Sequence, residues 1–278
     1  MKLPSNNLNY PVRILAGTSS GSGFIVGTDD KNNIYIVTAK HVLYYQDPTT
    51  KEFKLFAEKI KIVCNTFVEP YVYKPPRIYE LSLQKLIADN HLKQHSSQDI
   101  VVIKFGERKD SRIHFLAGVT LLQNAEGSIV TYELSGARKF NDVDISNEIF
   151  ALGYPVSLST SEMKQINYDL PLVRKGIIAG KNYDNKTLIL DCPVYGGNSG
   201  GLALEINLDV PNEVNIHLIG VIVQFVPFVE QWQNTRFPSL YNTHYQNSGY
   251  SIVLPVDFII DLIDEIEGNQ GIQEESKE

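Results

Sequence analysis

The stretch Tyr195-Gly196-Gly197-Asn198-Ser199-Gly200-Gly201 sets one hydroxyl among glycines, between the apolar runs Thr187–Leu190 and Leu202–Leu204. Glycine tolerates backbone angles that a side chain forbids, so a sharp turn of this composition can aim successive N–H groups at one point. A hydroxyl beside converging N–H donors is the minimum equipment for attack on a carbonyl. Taken alone, the same residues also describe a flexible loop. Two upstream segments favour chemistry. The run from Asn33 to Val42 reads as a strand that ends in a histidine, His41. The run from Ser97 to Phe105 puts a carboxylate, Asp99, at the mouth of a buried strand. The chain order of the reactive side chains is therefore His, Asp, Ser.

These pieces resemble a trypsin-like serine protease of the chymotrypsin fold, nearer to the bacterial HtrA (high-temperature-requirement) type than to the digestive enzymes. The resemblance is carried by Gly21-Ser22-Gly23-Phe24, Thr38-Ala39-Lys40-His41-Val42, Gln98-Asp99-Ile100-Val101-Val102, Ala151-Leu152-Gly153-Tyr154-Pro155 and Gly197-Asn198-Ser199-Gly200-Gly201. It spans the chain from about Ser20 to Ile260, and the triad order is that of the chymotrypsin template. It implies Ser199 as nucleophile, His41 as the base that later protonates the leaving amine, and Asp99 as acceptor of the other imidazole N–H. It implies an oxyanion hole built from the N–H groups of Gly197 and Ser199. It places the substrate pocket at Pro193 and Val194, before the serine, and at Val223, Gln224 and Phe225 on a later strand. None of those five side chains is charged, so an apolar, aliphatic residue is expected before the scissile bond.

One departure from the digestive enzymes stands out. They carry an aspartate immediately before the serine, which a newly cut N-terminus neutralises; here the residue is the neutral Asn198. A buried ammonium would lack a countercharge, so no activation of that kind is expected.

Three function classes share this composition. A serine endopeptidase leads. A catalytically silent scaffold of the same fold, acting as a protein-interaction module, is the alternative, because fold does not dictate chemistry. An esterase shares the mechanism, and Gly197-Asn198-Ser199-Gly200-Gly201 satisfies the literal Gly-x-Ser-x-Gly pattern, but the β-rich surroundings and the His-Asp-Ser order oppose an α/β hydrolase.

The elements that must hold these residues read as all-β: two six-stranded antiparallel barrels with a C-terminal helix, as in the chymotrypsin fold. Residues 1–125 are expected to form the lobe carrying His41 and Asp99, and residues 126–268 the lobe carrying Ser199 plus the helix. Residues 269–278 are expected to be a disordered acidic tail. Short runs rich in Val, Ile, Tyr and Thr at repeated spacing carry this assignment. Leu43–Lys54 reads as a polar loop, and Ser82–Gln94 has helical spacing. Ser157–Leu170 is a polar loop longer than a simple hairpin needs, and the resemblance implies a place near the active site. Phe225–Asn247, with Trp232 and several tyrosines, fits a partner-facing rim and an aromatic core equally. Pro255 stands at the first position of the terminal helix.

Composition bounds the remaining classes. A net charge of −7 over 278 residues opposes general nucleic-acid or anionic-membrane binding. No stretch approaches the roughly 18 apolar residues that span a bilayer. Met1–Tyr10 is a poor secretory signal, and Cys64 and Cys192 read as small buried hydrophobes rather than a bridge. A cytoplasmic location is expected on those grounds. No cofactor is implied and no metal: His91 and His95 lie one helical turn apart, but a third ligand is lacking. The expected partners are a protein or peptide substrate and a regulatory protein that supplies a trigger.

Overall fold

A computed structural model describes residues 3–29, 31–66, 74–110, 112–155, 165–207, 215–237 and 239–268. The β-branched and aromatic runs of the first half form strands β1 (Pro11–Ala16), β2 (Ser19–Gly27), β3 (Asn33–Thr38), β4 (Tyr44–Gln46), β5 (Phe53–Leu55), β6 (Lys59–Cys64), β7 (Arg77–Ser82), β8 (Leu92–Gln94), β9 (Val101–Lys109), β10 (Arg112–Phe115) and β11 (Val119–Gln123). A short strand, β12 (Tyr132–Glu133), follows. The second half supplies β13 (Glu148–Gly153), β14 (Leu172–Asn182), β15 (Thr187–Asp191), β16 (Leu202–Asn207), β17 (Asn215–Gln233) and β18 (Tyr241–Pro255).

The first lobe is a curled sheet with hydrogen-bonded order β10-β9-β3-β2-β1-β6-β7-β11. β8 joins β9, and β12 lies parallel on β2. The second lobe is a closed six-stranded antiparallel barrel, β13-β14-β15-β18-β17-β16, which abolishes sheet edges along its closed part. The chain is thus mostly β, in the barrel-like two-lobed architecture of the chymotrypsin fold. The boundary expected at 125/126 falls within the connection between β11 and β13, where Tyr132 and Glu133 pair back onto Val26 and Gly27 of the first sheet.

Helix α3 (Val256–Glu267) completes the packing. It starts after an N-cap Pro255, one residue later than the expected position, and ends at Gly268, whose φ of 73° suits glycine. Its buried Phe258, Ile259 and Leu262 share a cluster with Ile36, Val102 and Ile103 of the first sheet. At its end Glu267 accepts hydrogen bonds from Tyr35 (2.7 Å) and Lys104 (2.9 Å). The last described helix therefore returns to the first lobe and ties it to the second. No helix among the described residues is long and apolar enough to cross a membrane.

Two local expectations change. Leu43–Lys54 is a hairpin rather than a loop: β4 pairs with β5, and the Asp47 carboxylate accepts the N–H groups of Thr49 and Thr50 to turn the chain. The helix within Ser82–Gln94 covers only Leu83–Ala88, and Asn90 takes a left-handed φ of 59°. His91 and His95 consequently flank strand β8 and do not share a helical face. The tail at 269–278 and most of the loop at 157–170 lie outside the described residues.

Candidate active site

His41 sits in a four-residue helix, α1 (Lys40–Leu43), that begins just past the end of β3. Asp99 precedes β9, the neighbour of β3 in the sheet. Adjacent strands thus deliver both groups to one end of the first lobe. Asp99 holds the histidine at two points: Oδ1 accepts the His41 backbone N–H at 2.9 Å, and Oδ2 lies 2.5 Å from Nδ1. An ionised carboxylate can only accept, so Nδ1 carries the proton and Nε2 is left with a free lone pair. The pair faces solvent, with side chains 49% and 38% exposed.

Ser199 comes from the turn between β15 and β16 in the second lobe. Its Oγ donates to the Val223 carbonyl at 3.3 Å, and no hydrogen bond joins it to His41. Within the turn, Asn198 N–H donates to Tyr195 O (2.9 Å), Gly200 N–H to Ile222 O (2.7 Å) and Gly201 N–H to Asn198 O (2.8 Å). The N–H groups of Gly197 and Ser199 have no acceptor among the described residues. Gly197 adopts a φ of 95°, which a side chain there would strain. The two donors implied for an oxyanion hole are thus unpaired among the described residues, as are the N–H groups of Tyr195 and Gly196.

His41, Asp99 and Ser199 line one cleft of about 400 Å³. Val194, Val223, Gln224 and Phe225 line it too, as expected. Pro193 does not; Tyr195 and Gly196 occupy that wall instead. Arg174 caps the far side of the Tyr195 ring, 4.7 Å from its centroid. Among the described residues no group of His, Cys, Asp or Glu side chains is placed to hold a metal ion. Of the two histidines considered for one, His95 instead accepts the Gln98 N–H on Nδ1 (2.9 Å).

The family model of the trypsin-like peptidase domain matches residues 21–208. The chain belongs to that family. No curated protein matches it in sequence. Among solved structures it is similar to an HtrA-type protease, AlgW, determined with a tripeptide. That likeness has 13% identity and a TM-score of 0.47, and it covers 95% of this chain. The present chain spans 62% of the length of that one.

In this peptidase domain the turn is fixed by a residue that sequence reasoning passed over. Ser22, fully buried on β2, donates through Oγ to Gly197 O (2.6 Å) and accepts the Tyr154 N–H on the same oxygen (2.7 Å). Its own N–H donates to Ser199 O (2.9 Å), and its carbonyl accepts from Thr38 Oγ1 (2.7 Å). One serine of the first lobe therefore sets the carbonyls on both sides of Asn198. The only sequence signal was a hydroxyl between two glycines at the start of an apolar strand.

Asn198 is 1% exposed, and its Oδ1 is buried without a partner among the described residues. No salt bridge or hydrogen bond brings a cation to it among the described residues. An Asn198→Asp variant would bury an unpaired carboxylate, which costs about 3–5 kcal/mol. The folded-state pKa of that aspartate would be raised by burial, so the loss is full near pH 7 and shrinks as pH falls towards the unfolded value of about 4. Urea midpoints of the two proteins at both pH values measure this, and equal midpoints at pH 7 would contradict it. Cys192, beside the turn, is free and buried, and burial pushes its thiol up to about 11. Cys64 is likewise free, pushed up by burial to about 12. Neither thiol is a rival nucleophile.

Proposed function

We propose that the chain is a serine endopeptidase. The observation that carries the reading is the meeting in one cleft of a carboxylate-held imidazole and a serine hydroxyl. Ser199 Oγ leaves the Val223 carbonyl and attacks the scissile carbonyl carbon while His41 Nε2 takes its proton. Asp99 stabilises the imidazolium that results. The oxyanion of the tetrahedral intermediate accepts from Gly197 and Ser199 N–H, each worth about 3 kcal/mol of transition-state stabilisation. His41 then protonates the leaving amine, an acyl-enzyme remains on Ser199, and a water activated by His41 releases it. The uncharged wall of Val194, Val223 and Phe225 supports an apolar, aliphatic residue before the cleaved bond.

Labelling with a fluorophosphonate tests this directly. The expected result is a single adduct on Ser199, with fluoride displaced from phosphorus, that disappears in the His41→Ala and Ser199→Ala variants. A folded protein that takes up no probe would reject an assembled nucleophile. The second reading, a silent scaffold that binds other proteins, is supported by one observation: Ser199 Oγ is engaged by Val223 O rather than by His41. A regulatory partner that drew the hydroxyl across to His41 would reconcile the two, and would appear as labelling only in its presence.

A further inference from the structure

Strand β17 is 19 residues long and β18 is 15, far more than the barrel uses. β16 covers β17 only as far as Val221, and β15 covers β18 only from Tyr250 to Val253. Beyond these points Pro227–Gln233 pairs with Tyr241–Asn247 alone, as a two-stranded ribbon that leaves the barrel. An isolated ribbon of this kind is at best marginally stable in water. This one also exposes large apolar side chains, set among polar ones, on both faces. Phe228 and Trp232 lie on one face, exposed to 51% and 66%, and Val229, Tyr241 and Tyr245 on the other, exposed to 46%, 70% and 67%. Between Val223 and Tyr250 the only fully charged residues are Glu230 and Arg236, in a chain whose net charge is −7. Clustered exposure of large aromatic side chains on a charge-poor element marks a surface that is covered in use.

What covers it is indicated by where the ribbon starts. β17 enters it through Val223, Gln224 and Phe225, which line the cleft, and the Val223 carbonyl touches Ser199 Oγ. The root is tied to the opposite wall, where Asn247 Nδ2 donates to Val194 O at 2.6 Å. Ile222 is bonded to the turn at Gly200 and Gly201; past Val223 the outer edge of β17 has no strand beside it among the described residues, which leaves room for an added strand. A polypeptide leaving the cleft along this edge would meet ten further residues of β17, about 33 Å at 3.3 Å per residue. Pro227 offers no N–H and a bulge interrupts the register at Phe225/Pro227, so side-chain contact with the aromatic residues carries more of the attachment there.

We propose that the β17–β18 ribbon is a docking strip for an extended, uncharged, apolar segment of a protein substrate, flanking the bond that the cleft cleaves. The proposal rests on the endopeptidase reading for the identity of the occupant. The test separates the two. In the first arm, Ser199→Ala protein is titrated against a fluorescein-labelled, uncharged, Val- and Leu-rich peptide of about ten residues, the length the ribbon spans. The same titration is run with a peptide in which alternate apolar residues are aspartate. The apolar peptide is expected to bind at least about tenfold more tightly, and Phe228→Ser with Trp232→Ser to remove that advantage. Both positions are exposed, and circular dichroism checks the fold; the peptide exchange reads the same preference without any change to the protein.

In the second arm, wild-type protein and the ribbon variant are compared on a short cleavable peptide and on one extended by the apolar segment on either side. Short-peptide turnover should be unchanged, and the extension should raise kcat/KM about tenfold only in the wild type, through KM. Equal affinity for the two probe peptides, or full binding by the variant, overturns the docking strip. So does a dimer in sedimentation that the variant dissolves, since the occupant is then a second copy. Binding without any cleavage leaves the strip standing and rejects the endopeptidase; cleavage indifferent to the ribbon does the reverse.

Discussion

His41→Ala is expected to lower kcat by about a millionfold, to the same floor as Ser199→Ala, and the double variant should be no worse. The reason is that serine and histidine act as one unit: a hydroxyl that keeps its proton is a feeble nucleophile, and a base with no hydroxyl to deprotonate does nothing. What survives should be the contribution of Gly197 N–H, Ser199 N–H and substrate binding, about a thousandfold to ten-thousandfold over water. Asp99→Asn should fall between, at about ten-thousandfold. Here the geometry gives a specific cause. The amide oxygen of an asparagine can keep the bond to the His41 backbone N–H, which places its NH2 against Nδ1. An NH2 facing Nδ1 requires Nδ1 to accept, so the ring proton moves to Nε2, the nitrogen that must receive the Ser199 proton. Initial rates on a quenched peptide, with circular dichroism as a check on folding, measure all four variants. Retention of more than about one per cent of kcat by His41→Ala would show that the base lies elsewhere.

The three candidate residues that line the cleft could be picked out because each is set by its own neighbourhood in sequence. His41 follows a strand of Ile, Tyr, Val and Thr, Asp99 precedes a strand buried on both faces, and Ser199 lies in a turn that only glycine can make. The two N–H donors were named through the resemblance alone, because composition does not say which amides of a turn stay outside its own bonds. Ser22 was not legible, because its bonds reach 175 residues to Gly197 and 132 to Tyr154. A lone serine in a strand reads identically whether it faces water or pins another lobe. The helical spacing of Ser82–Gln94 misled for the opposite reason: spacing alone ignores that the helix stops at Ala88, where the chain turns through Asn90 into β8. The ribbon fell between these cases. Alternating aromatic residues suit a core strand and an exposed one equally, and only the loss of β16 beyond Val221 decides that these face solvent.

Gly200→Ala is expected to be severely destabilising, costing more than about 4 kcal/mol. A Cβ at Gly200 would stand 2.0 Å from Ser22 O, 2.4 Å from Thr38 Oγ1 and 3.0 Å from Ala39 N. Its φ of 85° adds backbone strain for any residue but glycine. Two of the three obstructing atoms are backbone, so no rotamer change clears them. Nor can either side retreat cheaply: Ser22 O is held by Thr38 Oγ1, and Gly200 N–H is held by Ile222 O at 2.7 Å. The methyl group fits only if β2 and β3 of the first lobe part from the serine turn of the second, which separates His41 from Ser199. Ser22→Ala supplies the comparison, because it removes the Oγ bonds to Gly197 O and Tyr154 N–H without adding volume, at about 1–3 kcal/mol for each group left unpaired. Urea midpoints should therefore drop modestly for Ser22→Ala and steeply for Gly200→Ala, and fluorophosphonate labelling of Ser199 should slow in the first and vanish in the second. A Gly200→Ala protein with a native midpoint and native labelling would mean that the two lobes do not meet at this turn, and the cleft would have to be assembled in some other way.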